Sequence, residues 1–162
     1  MKNLRVGHGF DVHPLVDGRP LIVGGVTIPY EQGLAGHSDG DVLLHAIMDA
    51  LLGAAGLPDI GQQFPPTDEQ YRNAASTHLL RQVIALVRAA GFTEILNIDA
   101  TIMAEQPQFN PHRAAVQQRI ADLLGIAVGQ VSIKATTTEQ LGFIGRGEGI
   151  AASAVCLLAG HD

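Results

Sequence analysis

The sequence predicts an α+β fold: a two-layer sandwich with a four-stranded mixed sheet, helices on one face, and a small N-terminal hairpin. Three observations lead there. Stretches that alternate apolar and polar residues are interspersed with stretches of helical spacing, so strands and helices share the chain. Their order is strand, hairpin, helix, helix, strand, helix, strand, strand, which suits helices gathered on one face of a mixed sheet. The 162 residues contain no internal repeat, low-complexity tract or linker, so 1–162 reads as a single domain.

Leu4–Val12 reads as the first strand, and Pro20–Tyr30 as a hairpin turning at Gly24-Gly25. Ser38 starts a helix that runs to about Gly53, with Val42, Leu44, Ile47, Met48 and Leu51 at helical spacing. Ser38 as cap, answered by Asp41 in a capping box, is the expected start. Residues 56–73 are rich in Gly, Pro and Asp and read as a long loop, a form often used for lids. A second helix spans Ala75–Ala90 and stops at Gly91. Glu94–Ala104 sets Ile98, Ala100 and Ile102 against Asp99, Thr101 and Met103, as a strand should. Asn110-Pro111 opens a third helix, Asn as cap, which ends at Gly125. Val131–Thr136 and Gly149–Leu158 are the last strands.

The net charge is −6, which argues against nucleic acid as a partner, because a phosphate backbone calls for clustered Lys and Arg. Charged residues are only 16% of the chain, against roughly 25% in ordinary domains. So small a chain with so few charges should bury surface against copies of itself, most simply in a closed ring or dimer. No apolar stretch reaches the ~18 residues of a membrane span. Residues 1–4 do not resemble a signal peptide, and Cys156, the only cysteine, cannot form an internal disulfide. A reducing cytoplasm is the expected setting, with Cys156 a small buried side chain.

Asp11 and His13 lie two apart at a strand end, so both side chains point to one face. His37-Ser38-Asp39-Gly40-Asp41 leads into the helix that carries His45 and Asp49, and Asp41, His45 and Asp49 share a helix face. His45 is the expected third metal ligand beside Asp11 and His13, oriented by a nearby carboxylate. Three protein ligands and an open fourth position are the pattern of a reactive zinc site. Two His and one carboxylate also form the facial triad of non-heme iron oxygenases. Those usually sit on double-sheet all-β folds, so zinc is preferred. A third constellation, Lys134-Ala135-Thr136-Thr137-Thr138-Glu139 followed by Gly145-Arg146-Gly147-Glu148-Gly149, offers hydroxyls and a carboxylate for phosphate and magnesium. No G-x-x-x-x-G-K-[ST] loop and no G-x-S-x-G elbow is present, so neither a P-loop nucleotidase nor a serine nucleophile is expected.

Taken together, Gly7-His8-Gly9-Phe10-Asp11-Val12-His13, His37–Asp41, Asp59-Ile60-Gly61 and the run Lys134–Gly149 resemble one family, 2-C-methyl-D-erythritol 2,4-cyclodiphosphate synthase. The resemblance runs from about Arg5 to Leu158. It implies a homotrimer with active sites between subunits. The implied reaction cyclises 4-diphosphocytidyl-2-C-methyl-D-erythritol 2-phosphate and releases CMP, in the non-mevalonate route to isoprenoids. Zinc falls to Asp11, His13 and His45, and a second ion, magnesium or manganese, to Glu139. His37 and Ser38 would hold the erythritol phosphate end. Asp59 and Gly61 would face the same part, and Phe64 and Asp68 belong to the binding loop. Thr136 and Thr137 would serve the diphosphate, with His37 and Thr137 positioning the transition state. Ala104, Pro107, Gln108, Phe109 and Asn110 would line the cytosine pocket, mostly through backbone groups, and Phe143 and Arg146 would close the nucleotide side. Arg146, Glu148 and Phe10 would line a cavity on the trimer axis.

Two departures stand out. Pro66 occupies a position where the family usually has aspartate, and Gln108, Phe109 and Asn110 replace a Lys-Met-Leu found in some members. In the implied mechanism the 2-phosphate oxygen attacks the β-phosphorus of the same molecule, so conformer selection matters most and no protein base is needed. Two other readings compete: a metal-dependent phosphohydrolase, in which water is the nucleophile, and a non-catalytic trimeric binder of metabolites.

Overall fold

The computed structural model describes residues 2–161. Seven strands are found among them: β1 (Lys2–Asp17), β2 (Leu21–Val23), β3 (Val26–Ile28), β4 (Gln32–Leu34), β5 (Phe92–Met103), β6 (Val131–Thr136) and β7 (Gly149–His161). The helices are α1 (Val42–Ala55), α2 (Ile60–Gln63), α3 (Ser76–Ala89), α4 (Arg113–Leu124) and α5 (Gly142–Gly145). The main sheet has the order β4-β1-β7-β5-β6, with β5 and β6 parallel and the other neighbours antiparallel; β2 and β3 form a separate hairpin.

The sheet is therefore mixed and five-stranded rather than four-stranded. The extra member is β4, three residues that pair Leu34 with Leu15 and Gln32 with Asp17. So short a segment carries too few alternations to be seen as a strand in the sequence. β1 continues to Asp17, past Pro14, because Pro14 sits opposite Gly149 at the end of the β7 ladder, where its missing N–H is tolerated. The expected loop 56–73 holds a short helix, α2, and a 3₁₀ turn at Glu69–Tyr71. The expected helix at Asn110 starts as a 3₁₀ turn, Asn110–His112, with no side-chain cap, and becomes α-helical at Arg113.

One apolar core lies between the sheet and α1, α3 and α4. In α1 almost every residue is buried, because it packs on β1 and β7 with one side and on α3 with another. Gly7 and Gly9 let it come close. A Cβ at Gly7 would lie 1.8 Å from the carbonyl oxygen of Ala50, and one at Gly9 would lie 1.9 Å from that of Ala46. Ala46, Ala50 and Ala54 repeat every fourth residue, so a stripe of small side chains on α1 meets the bare glycines of β1. Gly7, Gly9, Asp11 and His13 alternate along one face of β1, and this close approach carries α1 past Asp11 and His13.

The opposite face of the sheet is uncovered. On β1 it exposes Leu4 (55%), Val6 (69%), Phe10 (52%) and Val12 (40%), a run of apolar side chains of the kind that marks an interaction surface. Val155 of β7 is exposed beside them, and His8 bonds Ser153 across the same two strands. Towards β5 and β6 this face turns polar, with an ion pair between Lys134 and Asp99.

Candidate metal centre and active site

Asp11 and His13 project from β1 toward α1, where His45 sits in the first turn. Their ligand atoms form a nearly equilateral triangle. Asp11 Oδ2 is 2.8 Å from His13 Nε2 and 3.0 Å from His45 Nδ1, and the two imidazole nitrogens are 3.0 Å apart. It is the one cluster of three or more His, Cys, Asp or Glu among the described residues that could hold a metal ion. Ligands about 2.0–2.1 Å from a tetrahedral ion lie roughly 3.3 Å from one another, so a spread of a few tenths of an ångström would admit one.

The outer contacts fix both imidazoles. His13 Nδ1–H donates to the Ala35 carbonyl at 2.7 Å, which leaves Nε2 with its lone pair toward the centre. Ser76 donates its hydroxyl to Asp39, so its oxygen accepts the His45 Nε2–H at 3.0 Å. Ser38 Oγ is also 3.1 Å from that nitrogen. His45 therefore presents Nδ1. Burial favours the neutral form of Asp11, but the hydrogen bonds and charges of His13 and His45 outweigh it and hold the carboxyl at about 2. Burial works against the charged form of His13, yet its bond to Asp11 and the charge there leave its pKa raised.

The carboxylate that orients His45 is thus Asp39, acting through Ser76, rather than a neighbour on the helix face. Asp41 is the N-cap of α1, replacing the expected Ser38: its carboxylate accepts from Leu44 N–H at 3.0 Å and from the N–H groups of Gly24 and Gly25 at 2.9 and 2.7 Å. Burial pushes its pKa up to about 6, against the pull of those three donors. Asp49 accepts from the Ile60 N–H at 2.9 Å and so anchors α2. Asp39 also accepts from the Ser76 N–H at 3.0 Å, a remote cap for α3, whose own N-cap Ala75 makes no side-chain bond. Asp39 and Asp49 thereby tie down the two ends of the segment between α1 and α3. Only a search for a helix start lacking a capping side chain of its own could have singled out Ser76.

A cavity of about 280 Å³ opens beside the triangle, lined by Asp11, His13 and His45 together with His37, Ser38, Gly61 and Phe64, and Pro66 belongs to its wall. His37 Nε2 donates to the Asp68 carbonyl at 3.2 Å. Asp59 does not line this cavity; it caps α2 by accepting from Gln62 N–H. The side chain of Asp68 likewise caps the turn at Glu69.

A separate cavity of about 250 Å³ is lined by Ala104, Glu105, Pro107, Gln108, Phe109, Asn110, Ala135, Thr136 and Thr137. The two cavities share no lining residue. Phe109 is buried, so its side chain serves the core, while Gln108 and Asn110 beside it are exposed. Glu139 is exposed on the turn after β6, and its N–H donates to Thr137 Oγ1 at 3.3 Å. Phe143 is exposed on α5, and Arg146 pairs with Glu148, Nη2 to Oε2 3.0 Å. Among the positions expected to form one site, then, the chain joins the metal triad to His37, Ser38, Gly61 and Phe64, and joins Thr136 and Thr137 to the 104–110 loop. It does not bring these two groups into a common cavity.

A mixed sheet with helices on one face, bearing a two-histidine, one-carboxylate cluster beside a cavity, defines a class of α+β domains with a candidate metal centre. Residues 4–159 match the family described as the YgbB family, and this chain belongs to it. Relatives named 2-C-methyl-D-erythritol 2,4-cyclodiphosphate synthase include one from Methylobacillus flagellatus, 60% identical over 155 residues and 96% of each chain. Another, from Thiobacillus denitrificans, is 59% identical over 98% of each. Among solved structures, a bifunctional enzyme of Campylobacter jejuni (IspDF) superposes with a TM-score of 0.95 at 46% identity; it matches all of this chain, which spans 44% of that longer one. A CDP-bound 2C-methyl-D-erythritol-2,4-cyclodiphosphate synthase gives a TM-score of 0.87 at 38% identity, covering 95% of this chain and 99% of its own.

Proposed function

We propose that this protein cyclises 4-diphosphocytidyl-2-C-methyl-D-erythritol 2-phosphate to 2-C-methyl-D-erythritol 2,4-cyclodiphosphate and releases CMP, a step toward isoprenoid precursors. The observation that carries the reading is the triad of Asp11, His13 and His45 at the edge of the cavity that also holds His37, Ser38 and Gly61, in a chain of this family. The triad suits zinc, by its nitrogen-rich donor set and its three-ligand count. Glu139 is the residue for a second ion, magnesium or manganese, beside the hydroxyls of Thr136 and Thr137. Bound there, divalent ions supply positive charge to the phosphate oxygens.

The chain's own groups do the positioning. Ser38 and His37 hold the 2-phosphate end, with Gly61, Phe64 and the segment around Asp59 and Asp68 closing over the sugar alcohol. The loop Ala104–Asn110 takes the cytosine, and a relative of known structure with CDP bound supports a cytidine nucleotide as the ligand. Thr136 and Thr137 orient the diphosphate, and Phe143 and Arg146 flank the nucleotide. The 2-phosphate oxygen forms its bond to the β-phosphorus while the bond from that phosphorus to the CMP oxygen breaks, and CMP leaves with the electron pair. The nucleophile is already ionised, so no base is required, and the enzyme contributes orientation. The two separate cavities favour a homotrimer through the exposed apolar face of β1, in which one chain's triad faces its neighbour's nucleotide pocket. Residues 1–162 act as one domain, and a lone buried Cys156 suits a reducing cytoplasm. No helix among the described residues is long and apolar enough to cross a membrane.

The test is product analysis. Purified protein given the substrate with zinc and magnesium should yield equal amounts of CMP and a cyclic diphosphate. An open-chain phosphate would favour a phosphohydrolase, and binding of CDP without turnover would favour a metabolite binder.

A further inference from the structure

Thr138 to Leu141 close a tight turn, in which Leu141 N–H donates to the Thr138 carbonyl at 3.0 Å. Both central residues are left-handed, Glu139 at φ 55° and Gln140 at φ 62°. Turns with two such residues normally take Gly, Asn or Asp, because a Cβ crowds the following carbonyl oxygen there, and only the short polar side chains of Asn and Asp offset this by bonding the nearby backbone. Glu-Gln would not choose this conformation unaided. Glu105 supplies the restraint: its Oε1 accepts from Thr138 N–H and Gln140 N–H, each at 3.0 Å, and lies 3.3 Å from Thr138 Oγ1. On the other flank Gly145 leaves room, since a Cβ there would stand 2.1 Å from the Gln140 carbonyl carbon. Glu105 also lines the cavity formed by Pro107–Asn110, Thr136 and Thr137.

We infer that Glu105 is a positioning residue, which holds the strained turn so that Glu139 and Thr137 face the diphosphate, and which links that turn to the nucleotide pocket. The inference rests on the cyclisation reading, but its physical core does not depend on turnover. Glu105 lies outside the apolar core, so its replacement should leave the fold intact, as an unchanged far-UV circular dichroism spectrum would show. Three variants test it: Glu105→Ala, Glu105→Gln, and Glu105→Ala combined with Gln140→Gly. The alanine variant should lose about 10- to 100-fold in kcat with a smaller rise in KM, because the main effect is displacement of the reacting groups and only a small part of the nucleotide cavity wall is removed. The glutamine variant keeps an oxygen that accepts the same donors and should stay near wild type. Glycine at 140 adopts the left-handed conformation freely and should recover part of the lost kcat. Independently of activity, amide hydrogen exchange at Gln140 should quicken in the alanine variant. Unchanged exchange, a rise in KM alone, equal losses for alanine and glutamine, or no recovery with glycine would each overturn the inference. Wild-type protein that releases no CMP would defeat the proposed function, while the exchange measurement still decides the role of Glu105.

Discussion

At the residue scale, the centre depends on three side chains whose neighbours decide what they do. With the triad as a zinc site, the protein should bind one zinc per chain and His45→Ala, left with two ligands, should lose it; metal analysis after dialysis that still found one zinc per chain in the variant would remove His45 from the set. Glu139→Gln should keep that zinc, yet turn over ~10²–10³-fold more slowly, the usual size for one electrostatic contributor, and regain part of the loss with added manganese. Asp41 behaves unlike an ordinary carboxylate. Its folded pKa is raised to about 6 from 3.8, so folding takes up a proton between those values. The stability it contributes is therefore full below about pH 4 and falls as pH rises through 6, opposite in sign to Asp11. A carboxyl carbon resonance of Asp41 titrating near 6 would agree; a midpoint below 4 would show that its three N–H donors outweigh burial. Asp41→Ala leaves the N–H groups of Gly24, Gly25 and Leu44 without their acceptor and should cost about 3 kcal/mol in urea unfolding.

At the element scale, the decisive contact is α1 against β1. The Ala46, Ala50, Ala54 stripe fits over Gly7 and Gly9 with no space for a methyl group. Gly9→Ala should force α1 away from the strand, lowering stability by about 3 kcal/mol and weakening zinc binding as His45 withdraws from Asp11. Thermal melting with and without zinc separates the two effects: a variant as stable as wild type, with its zinc-induced rise intact, would show that α1 can shift without cost. The helices themselves were legible from spacing, and Gly125 ends α4 in the left-handed conformation as its position suggests. Capping was less legible. Ser38, Asp39 and Asp41 are all good caps by composition, and only the folded chain shows Asp41 on α1 and Asp39 reaching across to α3.

At the scale of the whole molecule, the uncovered sheet face and the two unjoined cavities point the same way. A homotrimer should be seen by native mass spectrometry at micromolar concentration. Val6→Asp, placed where 69% of the residue is exposed in the single chain, should give a folded monomer that has lost turnover, because the triad would no longer meet a neighbour's nucleotide pocket. A trimer that survives this change would move the interface elsewhere.

The sequence by itself determined the α+β class, the order of the main elements, and the grouping of Asp11, His13 and His45. Periodicity is a local property, and Asp11, His13 and His45 stand in segments that are weak singly and become specific when all of them occur in order along the chain. Tertiary structure alone decided the fifth strand, the caps, the service of Ser76 and Asp39 to His45, and the hold of Glu105 on the turn at Glu139. Each of these joins residues far apart in the chain, as Glu105 and Gln140 or Asp39 and Ser76 are. A hydrogen bond between distant residues leaves no periodic trace in either segment; it exists only once packing has brought the donor and the acceptor together.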